Sequence, residues 1–70
     1  MIRVIDGERI EFAKARKSHW DGKECLYAGR AADGSVKLFE SDQPGPVITT
    51  SAAKLRTFAE AVMSGEFEFI

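Results

Sequence analysis

The residues of this 70-residue chain best suited to covalent catalysis are His19 and Cys25. A histidine beside a cysteine can act as base to nucleophile, provided a third group orients the imidazole and backbone donors hold an oxyanion. Neither requirement is visible in the sequence, so a loop histidine and a small buried thiol are expected instead. The carboxylates Glu8, Glu11, Glu24, Asp33, Glu40 and Asp42 are scattered over strands and turns. General acid–base catalysis needs two of them held at a defined separation, and the spacing singles out no pair. One histidine and one cysteine also fall short of a zinc site of three or four such ligands. Gly29 and Gly34 bracket a segment that lacks the phosphate-loop pattern. Neither a catalytic residue nor a cofactor or metal is therefore expected, and the chain reads as a non-enzyme.

Binding chemistry is the alternative. Lys14, Arg16 and Lys17 place three cations within four residues. A solvated edge or loop is the plain reading, and a nucleic-acid contact is the sharper one. Ten basic against eleven acidic residues give a net charge of −1, without the basic excess that phosphate binding favours. Direct nucleic-acid contact is thus the second choice. No apolar run approaches the length that spans a bilayer. The first residues do not form a signal peptide, and with a single thiol a cytoplasmic location is expected. At this length the buried fraction of surface is small. With no disulfide or metal available as a staple, a protein partner or self-association is the expected source of extra stability.

The elements that must position these groups begin with a hairpin. Residues 2–5 and 8–13 are β-prone and flank Asp6-Gly7, a strong two-residue turn signal. Glu24 to Ala28 reads as a short strand carrying Cys25. Gly29 to Gly34 reads as a connection, and Val36 to Glu40 as another strand. The alternation of that strand puts Val36 and Leu38 inward, leaving Lys37 and Phe39 on the other face, so Phe39 is expected to be an exposed aromatic. Pro44-Gly45 suits a type II turn. Val47 to Thr50 is β-branched throughout and suits a strand. Ser51 is placed to cap a helix over residues 52–64, which Gly65 ends. On that helix Leu55, Phe58, Ala59 and Val62 form one apolar stripe, expected to pack on the sheet as core. Trp20 sits in a loop, either partly buried or as an interface anchor. The tail Glu66-Phe67-Glu68-Phe69-Ile70 alternates with period 2 and is expected to form a short strand, paired with its own sheet or with another chain. The fold class is therefore α+β in a single domain over 1–70. It has a small antiparallel sheet of four or five strands, open to curling as a half-barrel, one C-terminal helix near 52–64 and a short terminal strand.

The order of these pieces resembles a known family. Lys17-Ser18, Cys25 on a short strand, Glu40-Ser41, Pro44-Gly45-Pro46, a β-branched strand ending at Ser51, Phe58 on the helix and Gly65-Glu66-Phe67 occur in that sequence. This is similar to the actinobacterial domain-of-unknown-function family 397, the BldB-like small regulators, over residues 15–68. The hairpin of residues 1–14 precedes the resembling region. Ala15 and Leu55 stand where the family commonly has tryptophan, and Phe39-Glu40-Ser41-Asp42 replaces a common Arg-Asp-Ser-Lys. The resemblance implies a non-enzymatic regulator that acts with a helix-turn-helix DNA-binding protein and can self-associate as a homodimer. The contact residues expected for such a partner are Trp20, Phe39, Phe67 and Phe69, with Arg56 at the rim.

Overall fold

The computed structural model describes residues 1–14 and 26–69. Five strands, β1 (Ile2–Ile5), β2 (Glu8–Lys14), β3 (Leu26–Arg30), β4 (Ser35–Glu40) and β5 (Ile48–Ser51), lead into one helix, α1 (Ala52–Met63). The strands form a single antiparallel meander in the order β1-β2-β3-β4-β5. Each strand thus pairs with its neighbours in sequence.

Local chemistry sets each join. Asp6 and Gly7 both take positive φ, 51° and 82°, as a two-residue hairpin turn with the twist of its strands requires. In the β3–β4 connection the Gly34 N–H donates to the Ala31 carbonyl at 3.0 Å. Asp33 Oδ1 there accepts from the Ser35 N–H and hydroxyl at 2.9 and 2.6 Å. Those two bonds to the hydroxyl and amide hold the Asp33 carboxyl below its ordinary value of 3.8. The Ala32 N–H donates to Glu8 Oε2 at 2.6 Å, tying this turn to the start of β2.

β2 turns the sheet on itself. Its first half, Glu8 to Glu11, pairs with β1, and its second half, Phe12 to Lys14, pairs with β3. The ladder therefore changes partner at Phe12 and encloses one face. Gly29, expected in a connection, lies inside β3 opposite Phe12. A Cβ there would sit 2.7 Å from the Glu11 carbonyl oxygen and 2.8 Å from atoms of Ile10 and Phe12. The close approach of β2 and β3 requires glycine at this point.

The enclosed face holds the core. Ile10 and Phe12 are 1% and 2% exposed, and Phe39 and Ala31 pack with them. Ile5, Tyr27 and Val47 are half-buried around that cluster. The expectation that Phe39 is exposed is corrected here: it is 4% exposed. The alternation of β4 holds, with Phe39 on the opposite face to Val36 and Leu38. Period 2 separates two faces without saying which one closes. The curl at β2 brings Phe12 and Tyr27 to the Phe39 side, and that side holds the core cluster, while Val36 on the other face is buried as expected, at 8% exposed.

The helix begins and ends as its sequence dictates, but it is not a core element. Ser51 caps it, its hydroxyl oxygen accepting from the Lys54 N–H at 3.1 Å. Gly65 takes φ 88°, and the Gly65 and Glu66 N–H groups reach the Val62 and Ala61 carbonyls at 3.3 and 3.0 Å. These are the paired bonds of a Schellman stop. Yet no residue of α1 is buried, and it rests chiefly against β5. Ser51 ends β5 and Ala52 starts α1 with no residue between them. Strand-to-helix turns that lay a helix back across its sheet usually take two to six residues. The stripe expected as core is thus left open: Leu55 is half-buried, while Phe58, Ala59 and Val62 are exposed. The expected terminal strand is absent as well, since residues 64–69 form turns.

Candidate interaction surface

The buried aromatics show what the chain spends on itself. Tyr27 stacks on Phe39 at 5.0 Å between centroids, nearly parallel, and Phe12 meets Phe39 edge-on at 4.8 Å. The Arg3 guanidinium lies 4.5 Å above the Phe39 ring. Its Nη1 is buried without a hydrogen-bond partner among the described residues, so the negative ring face supplies the compensation that an acceptor otherwise would. Phe39 is thus held between Phe12, Tyr27 and the Arg3 guanidinium, with its side chain buried.

The other aromatics collect at the far end of α1. Phe58 lies 5.2 Å from Phe67, and Phe67 lies 6.1 Å from Phe69. The turns after Gly65 fold the tail back along the helix rather than onto the sheet. Phe67 is half-buried by this, while Phe58 is 50% and Phe69 81% exposed. Ser64 helps hold the fold-back, its hydroxyl donating to the Ala61 carbonyl at 3.1 Å and to Glu66 Oε2 at 3.2 Å. Arg56 is exposed on the same helix. Three clustered rings of which two are largely open to water form an apolar patch that a lone chain gains little by keeping.

Of the five contact residues expected from sequence, the structure therefore brings Phe67 and Phe69 together, sets Arg56 on the helix that carries them, and buries Phe39. Trp20 lies outside the described residues. So do Arg16 and Lys17 of the basic segment, and His19 and Cys25; Lys14 ends β2 with its side chain exposed. Phe58, which its helical spacing places in the core, belongs instead to the open cluster. The missing signal was the zero-length join at Ser51-Ala52, which was readable as a β-branched strand abutting a cap.

Among the described residues no group of three or more His, Cys, Asp or Glu side chains is placed to hold a metal ion. No described helix is long and apolar enough to cross a membrane. A second open area lies on the outer face of the sheet. It contains a groove of about 150 Å³ lined by Leu26, Leu38, Phe39, Glu40, Gln43, Pro46 and Ile48.

No protein-family model matches the chain, and no curated protein or solved structure matches it.

Proposed function

We propose that this chain is a non-enzymatic, cytoplasmic interaction module that docks on a helix-turn-helix transcription regulator and modulates its activity. The observation that carries the docking is the cluster Phe58, Phe67 and Phe69, held open at the end of a helix the sheet does not cover. Large aromatic side chains with few rotatable bonds contribute most of the energy at protein interfaces, and an arginine at the rim favours a polar boundary. Arg56 fills that second role. The nature of the partner follows from the family resemblance. The near-neutral charge agrees with a protein partner rather than with phosphate contacts.

Co-purification with the helix-turn-helix protein encoded nearest to this chain tests the reading. Wild-type protein retains the regulator, and Phe67→Ala and Phe69→Ala each weaken retention by about tenfold or more, the range of an interface anchor. Retention unchanged in both variants overturns the proposal.

A further inference from the structure

The open rings at the end of α1 stand among acids. Residues 58–69 hold three of the chain's eleven carboxylates, Glu60, Glu66 and Glu68, and none of its ten cations. The rest of the chain, with the other eight carboxylates, is net basic. Lys54 and Arg56 lie in the first half of the helix and the three acids from its second half onward, all of them exposed. That order opposes the helix macrodipole, whose carbonyl end is negative and favours cations. The first turn carries no acid and the last turn no base. Glu66 Oε2 accepts from the Ser64 hydroxyl at 3.2 Å. Glu68 Oε2 lies 4.0 Å from the point where a Cβ on Gly65 would stand, against the same helix end. Among the described residues neither carboxylate is in an ion pair. Carboxylates gathered at a negative helix end do not help the helix to fold. They suit an approaching surface of opposite sign.

The rings favour the same chemistry. Phe58 is 50% and Phe69 81% exposed, and the face of such a ring is negative. A guanidinium laid on it is attracted, as Arg3 is to Phe39 within the fold. Beside Glu66 and Glu68 it also meets a carboxylate. The planar fork of arginine serves both contacts, where a lysine ammonium serves chiefly the charge.

We propose that the surface these rings receive is a cationic face of the partner, with arginines set around an apolar contact. This rests on the docking at Phe67 and Phe69 proposed above and names the face that docks. On a DNA-binding regulator a cationic face is the one that holds phosphate. Docking here and DNA binding therefore exclude each other, and the chain acts by taking its partner off DNA.

The regulator of the co-purification above, with a labelled DNA duplex that it shifts by itself, tests this. Wild-type chain retains the regulator, more weakly as salt rises from about 50 to about 500 mM, and added chain releases the duplex. Glu66→Lys combined with Glu68→Lys weakens retention by about tenfold or more, since two rim pairs are lost and reversed, and it no longer releases the duplex. Its helical circular dichroism equals or exceeds that of the wild type, because lysine suits the carbonyl end of a helix, so lost folding does not mimic the effect. Glu66→Gln combined with Glu68→Gln, which keeps an acceptor for Ser64, falls between. If Phe67→Ala releases the regulator while the lysine pair retains it as the wild type does, the cationic face is overturned and the docking stands. A complex holding chain, regulator and duplex together overturns the exclusion. A regulator that wild-type chain does not retain at any salt concentration removes the docking itself, and this inference with it.

Discussion

Phe39 and Phe58 are the same residue type on two regular elements, yet one is 4% exposed and the other 50%. Phe39 sits where the sheet curls on itself, between Phe12, Tyr27 and the Arg3 guanidinium. Phe58 sits on a helix that leaves β5 without a connecting residue, and its ring packs against Phe67 of the tail. Apolar periodicity marks both as candidates for burial. What separates them is whether the backbone closes over the side chain, and that is a property of topology. The dimensions agree. A radius of gyration of 12.9 Å exceeds the roughly 11 Å of a compact 70-residue domain. The inner sheet face is thus the stabilising region, and the helix end is the region left for another molecule.

The comparison is broken most severely at Gly29. Gly29→Val places carbon atoms on the Glu11 carbonyl and the Phe12 ring, and the expected outcome is a chain without a cooperative thermal transition by circular dichroism. Next come Phe39→Ala and Phe12→Ala, each expected to cost about 3–5 kcal/mol. That is comparable with the whole stability of so small a domain, and urea titration reads it directly. Ser51→Ala and Gly65→Ala act on the helix alone. Each removes an end device worth about 1 kcal/mol, and the signature is a loss of helical signal while the near-ultraviolet signal of Tyr27 persists. Phe69→Ala is expected to change stability by less than about 0.5 kcal/mol while impairing retention of the regulator. The smallest effect is electrostatic. The Asp33 carboxyl is held below 3.8 chiefly by the Ser35 hydroxyl, so its folded value lies under its unfolded one. Its contribution is therefore present above about pH 4 and is lost as pH falls through the lowered value. Ser35→Ala flattens that acid limb without altering stability at pH 7 relative to its own value at pH 5.

Much of the fold was legible because it is local. Asp6-Gly7, Ser51 and Gly65 act within a few residues of themselves, and each does in the structure what its type implies. The five strands follow from β-branched and alternating segments bounded by turn residues. The sidedness of β4 was not legible, because alternation leaves open which face the sheet encloses. The register that sets Phe12 against Gly29 decides it, and Gly29 gave no sign of being a strand residue. The tail misled for a related reason. Phe67 and Phe69 alternate with acids as a strand would, but Phe58, two helical turns earlier, offers a ring at 5.2 Å, and the chain turns back to it. The contact residues were half legible: the rings of the tail were singled out by sequence, while Phe58 was hidden within a pattern that reads as core.

Residue-resolved amide hydrogen exchange on the purified chain, without a partner, tests the division most directly. Amides of β2, β3 and β4 are expected to exchange only through global unfolding. Those of α1 are expected to exchange orders of magnitude faster, through local opening of a helix that buries no side chain. Protection of α1 equal to that of β4 would contradict the account, for it would mean the helix belongs to the same cooperative core as Phe39.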